Sequence, residues 1–230
     1  MKKLSIVFFA LIFISSLQAQ SSKTFNVDDF SGISISNSAD VIFSIGTKSV
    51  SVSGPQELID RLDVNVHKNS LNIENKKGKS GNWSGRGGLT FKISAPSLTG
   101  IVISGSGDLT IEDDFEADDF GIVISGSGDV LSKGNLTASK VSIVISGSGD
   151  VNLKGSCNKQ SIALSGSGDL DTQGLKCREA NVVNSGSADI EVFVSEKISV
   201  VNSGSGDIQV KGSPEKKSII NTGSGDIDYR

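Results

Sequence analysis

Ser-Gly-Ser-Gly-Asp recurs about every 20 residues in the second half of this chain, ending at Asp108, Asp129, Asp150, Asp169 and Asp207, with close variants ending at Asp189 and Asp226. The successive intervals are 21, 21, 19, 20, 18 and 19 residues, and Asn37-Ser38-Ala39-Asp40 is an earlier relative that keeps the Ser and the Asp. A repeat of this length is one supersecondary unit that cannot bury its apolar face alone, so the units must stack. With the copies registered on the Asp, the next residue is Leu109, Val130, Val151, Leu170, Ile190, Ile208 or Ile227. Seven residues before it stand Ile101, Ile122, Ile143, Ile162, Val182, Val200 and Ile219. Each copy therefore reads as strand, glycine turn, strand, and the β-branched residues favour strand over helix. A propeller blade needs about twice this period, and a leucine-rich repeat would carry a Leu and Asn signature. The pattern predicts an all-β chain with a parallel β-solenoid of about 20-residue coils over residues 101–230.

Two further positions vary together along the array. Five residues before the Asp come Ile103, Ile124, Ile145 and Leu164, then Asn184, Asn202 and Asn221, whose amides are able to hydrogen-bond along the stack. Between these columns lies Val102, Val123, Val144, Ala163, Val183, Val201 and Ile220. Successive strand residues face opposite sides, so one apolar column points outward and calls for a cover. Residues 20–100 are less regular, with strands expected at 32–36, 41–45, 49–53, 63–67, 71–74 and 89–94 and a short helix over Pro55 to Leu62. This β-rich N-terminal module is expected to pack on the solenoid as one continuous unit and to offer that cover.

The chain opens with Lys2 and Lys3, an apolar run from Leu4 to Ile14 and a small-residue exit before Gln20, which reads as a signal peptide over residues 1–19. The protein is therefore expected to be exported, to the periplasm, the outer surface or beyond. No later run reaches the length of a transmembrane helix. Of 22 basic and 26 acidic residues, loss of Lys2 and Lys3 leaves 20 against 26, a net charge of −6 that repels polyphosphate and argues against nucleic acid. Cys157 and Cys177 lie one repeat apart. Stacked on neighbouring coils they would come within disulfide range, and the other reading is two small buried hydrophobes.

Phe30-Ser31-Gly32-Ile33, then Ala39-Asp40-Val41, Leu71-Asn72-Ile73, Ala95-Pro96-Ser97-Leu98 and the Gly-Ser-Gly-Asp series resemble the auto-transporter adhesin head GIN domain family. The likeness covers most of the chain beyond residue 20. It implies an exported β protein of a bacterial envelope, and it supplies no catalytic residues.

The chemistry legible in the residues is sparse. The turn aspartates Asp40, Asp108, Asp129, Asp150, Asp169, Asp189, Asp207 and Asp226 supply one carboxylate per coil, whereas calcium takes six to eight oxygens. Stacked about 4.8 Å apart they repel, and accepting turn N–H groups would offset this, so their expected role is turn capping. A serine nucleophile needs a base, and His67 is the only histidine. Glu112-Asp113-Asp114 with Glu116, Asp118 and Asp119 forms an acidic cluster that reads as a solvated face. The segment from Lys76 to Gly88 carries Lys76, Lys77, Lys79, Arg86 and the only tryptophan, Trp83, with no acid. It is either a contact loop for an acidic glycan or partner protein or a plain hairpin connection. No catalytic residue, metal site or cofactor is expected. The function expected is a non-catalytic adhesin or surface-binding module for a cell-surface glycan or protein. The alternative is a scaffold protein that self-associates into a homo-oligomer through its last coil at Ile227-Asp228-Tyr229-Arg230, and a carbohydrate-active enzyme comes last.

If the aspartates serve the fold and hold no ions, adding chelator leaves the melting temperature within about a degree in a thermal scan. A calcium-dependent rise of many degrees would reverse that assignment.

Overall fold

The computed structural model describes residues 21–78 and 88–230, and in them the chain forms 18 strands of one sheet and one short helix. The first strands are β1 (Ser21–Phe25), β2 (Gly32–Ile35), β3 (Asp40–Ile45) and β4 (Ser49–Gly54). After α1 (Gln56–Ile59) come β5 (Leu62–His67), β6 (Ser70–Asn75) and β7 (Thr90–Ala95). The repeats supply β8 (Gly100–Ile103), β9 (Leu109–Ile111), β10 (Phe115–Ile124), β11 (Val130–Ser132), β12 (Leu136–Ile145), β13 (Val151–Leu164), β14 (Leu170–Asn184), β15 (Ile190–Asn202), β16 (Ile208–Lys211), β17 (Lys216–Asn221) and β18 (Ile227–Tyr229).

The repeats stack as a parallel β-solenoid. Ile101, Ile122, Ile143, Ile162, Val182, Val200 and Ile219 pair in one column, and Leu109, Val130, Val151, Leu170, Ile190, Ile208 and Ile227 in another. All are buried except the members of the last coil, Ile219 and Ile227. One column of the core turns polar without penalty. Buried Asn184 accepts the Gly186 N–H at 3.1 Å, and buried Asn202 accepts the Gly204 N–H at 3.2 Å and donates to Asn221 Oδ1 at 3.2 Å. These amides cap their own turns first, and only the last pair bonds along the axis.

The glycines of the turn answer to stacking. None of those in the Ser-Gly-Ser-Gly-Asp copies has positive φ. Instead, a Cβ on Gly126, Gly147, Gly166 or Gly223 would collide with the carbonyl oxygen of the equivalent glycine one coil earlier. Ala39 and Ala188 take the second glycine position in their copies, so that column admits a methyl group, whereas the first column is glycine in every copy after Asn37.

The N-terminal strands continue the solenoid instead of covering its side. β2 pairs in parallel with both β6 and β8, and β3 with both β7 and β9. The β2–β3 coil, first in sequence, is thus sandwiched between the β6–β7 and β8–β9 coils. Antiparallel β5 on β6, β4 on β7 and β1 on β4 close that end. β5 and β6 are joined through Lys68 and Asn69, both at positive φ (48° and 63°), which suits a two-residue hairpin. The helix is shorter than the expected span, with Pro55 at its N-cap. The expected cover over the outward column is absent among the described residues: Val102 is 38% exposed, Val183 47% and Ile220 56%. The reason is that backbone pairing onto β8 satisfies a full row of N–H and C=O groups, which packing across side chains would leave unmet.

At the other end β17 and β18 each pair on one side. Lys217 there takes the core column held by Ile198 one coil earlier, and its Nζ sits 3.8 Å from the centre of the Tyr229 ring. Burial raises the Tyr229 pKa, so its phenol stays neutral.

Gly147→Ala is expected to cost about 1–3 kcal/mol in denaturant unfolding, the range for overpacking. Gly121→Ala, whose Cβ would meet nothing within 4 Å, is the control and leaves stability within about 1 kcal/mol.

Candidate functional site

The turn aspartates form an unbroken ladder. Oδ1 of Asp40 accepts the backbone N–H of Asp108 at 3.2 Å, Asp108 that of Asp129 at 2.9 Å, and Asp129 that of Asp150 at 2.8 Å. The series runs on through Asp169, Asp189, Asp207 and Asp226 at 2.8–2.9 Å. The bond crosses to the next coil, where the sequence pointed to capping within a turn. The reason lies in donor direction: Ser127 donates back to Gly105 O while Val130 donates forward to Asp150 O. The Asp N–H falls between these two settings, and the carboxylate one coil earlier meets it.

The acidic cluster divides into structural and free members. Asp113 accepts the Ile45 N–H at 3.0 Å, Asp114 accepts the Asn135 N–H at 2.7 Å, and Glu112 pairs with Lys133 at 2.9 Å. Glu116 and Asp118 instead line an open groove of about 660 Å³ that runs across β10, β12, β13 and β14. Two outward columns wall it: Glu116, Thr137, Ser156 and Lys176, and Asp118, Ser139, Asn158 and Arg178. Carboxylates stand at one end, cations at the other, with hydroxyls and an amide between them. Arg178 is held by Glu196 at 2.6 Å. Cys157 lies in the floor, joined to Cys177 in a disulfide with Cα atoms 4.5 Å apart, which ties β13 to β14 beneath the groove. The sequence analysis missed this groove because no copy of the repeat contains it. Its signal was the change from acid to base at equivalent positions of successive coils.

β6, which leads into the basic segment, pairs Ile73 with Ile35, and β7 after it pairs Thr90 with Asp40. Lys76 and Lys77 are exposed, and Lys76 Nζ donates to Asp60 O at 2.7 Å. Lys79, Trp83 and Arg86 lie outside the described residues, as does the expected signal peptide. His67 is exposed at the end of β5. Among the described residues no three His, Cys, Asp or Glu side chains are grouped to hold a metal ion, and no helix is long and apolar enough to cross a membrane.

A parallel solenoid with an end cap of antiparallel strands and a polar groove on its flank defines a β-solenoid domain. The chain belongs to the family described as putative auto-transporter adhesin, head GIN domain, whose model matches residues 29–214. Among solved structures it is similar to a putative adhesin from Bacteroides fragilis, at 26% identity and a TM-score of 0.87, over 93% of this chain and 98% of that one. A putative lipid binding protein from Parabacteroides distasonis is 25% identical with a TM-score of 0.69, over 92% of this chain and 96% of that one. A putative adhesin from Parabacteroides merdae, 17% identical with a TM-score of 0.68 over 92% and 96%, shares the fold. No curated protein matches the chain.

The ladder makes a graded prediction. Asp150→Ala strands the Asp169 N–H and is expected to cost on the order of 1–2 kcal/mol in urea unfolding, while Asp150→Asn, which keeps an acceptor oxygen, costs less than half of that. Equal costs for the two would assign the effect to charge.

Proposed function

We propose that this protein is an exported, non-catalytic binding module of the cell envelope that engages a surface glycan along its flanking groove. The observation that carries this reading is the groove's lining. Thr137, Ser139, Ser156 and Asn158 offer donors and acceptors at coil spacing, between Glu116 and Asp118 at one end and Lys176 and Arg178 at the other. An extended, hydroxyl-rich chain bearing both charges fits such a row, and the disulfide under it holds neighbouring coils in fixed register. The family and its neighbours described as adhesins support a surface role, and the leading segment over residues 1–19 supports export. The engagement of Asp113 and Asp114 by neighbouring backbone amides supports binding over hydrolysis.

The basic segment with Trp83 is the second contact we propose, favoured by its four cations, its lack of acid and the only tryptophan of the sequence. Lipid is a further ligand class to test, given the neighbour described as lipid binding.

A glycan array probed with the wild type, with Ser156→Trp and with Lys79→Ala/Trp83→Ala/Arg86→Ala separates these readings. Groove binding predicts loss of signal in Ser156→Trp with the melting temperature held, and retention in the triple variant. The reverse pattern assigns recognition to the basic segment. Binding only to phospholipid vesicles would overturn the glycan assignment.

A further inference from the structure

The solenoid side that carries the valine column is free of charge over eight adjacent strands, from β2 through β8, β10, β12, β13, β14 and β15 to β17. The register sets three outward columns on the strands from β8 onward: Gly, Ser or Asn from Gly100 to Ser218; Val, Ala or Ile from Val102 to Ile220; and Ser or Thr from Ser104 to Thr222. β2 adds Gly32 and Ser34, and exposed Ser36 follows it. In a chain with 21% charged residues, none of these positions carries one. Charge returns only at the flanks. On one flank the column reads Asp119, Lys140, Lys159, Glu179, Lys197 and Lys216, and beyond the turn on the other flank runs the aspartate ladder.

We propose that this side is the interface of a two-fold homodimer in which two solenoids lie face to face with their axes parallel. A self-complementary patch meets its own copy, so any charge at its centre would face a like charge, and the centre here has none. The size suffices: eight strands at about 4.8 Å give roughly 40 Å, and five residues at about 3.3 Å give roughly 17 Å, or about 650 Å² per copy, at the lower end of a standard interface. The flanks choose the orientation. A two-fold axis parallel to the solenoid sets the lysine-rich flank of one copy against the aspartate ladder of the other. An axis perpendicular to the solenoid would oppose ladder to ladder, which repels. Lys217, exposed on the edge strand in register with core residue Ile198, opposes the alternative of end-to-end strand pairing. The groove across β10 to β14 lies on the adjoining side and stays open in this dimer.

Sedimentation velocity of the exported protein over a range of concentrations tests the interface. We expect a concentration-dependent dimer, weakened on the order of tenfold or more by Val144→Arg and also weakened by Lys140→Glu/Lys159→Glu. Leu131→Arg, at an exposed residue of β11 on another side, keeps the dimer. Melting curves establish that each variant is folded. A wild type that stays monomeric to about 100 μM, well above the dissociation constants usual for an interface of this area, overturns the proposal. So does a dimer that Val144→Arg leaves intact. Strengthening by Lys140→Glu/Lys159→Glu would overturn the parallel orientation. Binding of phosphatidylcholine vesicles by a monomeric wild type, lost in Val144→Arg, would overturn the dimer and assign the face to lipid.

Discussion

The close passage of one coil's backbone over the next at the glycine corner is the constraint on which the rest of this structure depends. At Gly126 over Gly105 and Gly147 over Gly126 there is no room for a single methyl group. That contact fixes the coils in register, because a slip of one residue would drive a serine side chain into the carbonyl beneath it. Once the register is fixed, like residues stack on like, and aliphatic columns fill the interior without a large aromatic core. The aspartate ladder follows from the same contact. Where the backbone turns the corner its N–H groups change direction, and the carboxylate of the coil before closes the gap.

The repeat therefore consumes most of the chemistry that it advertises. Eight aspartates in line suggest an ion site when read as a list, but seven of them accept an amide from the coil that follows. The recognition we propose belongs where the coils differ from one another. That happens on the side bearing Glu116 and Asp118, where equivalent positions pass through Thr137 and Ser139, then Ser156 and Asn158, to Lys176 and Arg178. A gradient of charge along an otherwise uniform rod gives an elongated ligand a direction, which a uniform ladder lacks.

The solenoid was legible in the sequence because both of its determinants are local and repeated: the glycine corner and the aliphatic residues at fixed distances from it. Most strands of the N-terminal region were also legible, since Val41 to Ile45 and Ser49 to Ser53 alternate as half-buried strands do. Their arrangement was not. That β2 lies between β6 and β8 depends on long-range pairing, and no local pattern in residues 32–36 distinguishes a coil with two neighbours from a strand on a cover. The groove escaped for a related reason. Registering the copies on the Asp emphasises what they share, and the residues around Ala138 and Cys157 sit where the intervals vary.

The sandwiched coil also bears on how the chain assembles. β2 and β3 leave the first coil with both edges open, and the following segment, from β4 to β7, fills one edge before β8 and β9 fill the other. Each later coil adds to the edge left by the last, a sequence of short-range steps. The pairing of β2 with β8 instead spans 68 residues, from Ile33 to Ile101. Closing that loop costs more entropy than any later step, although the cost grows only slowly with length. In the folded chain that end is capped by antiparallel strands, with β1 on β4 and β5 on β6. At the other end of the rod, exposed Lys217 of β17 stands in the register of the core column with its ammonium over the Tyr229 ring, which makes that edge a poor template for a further strand.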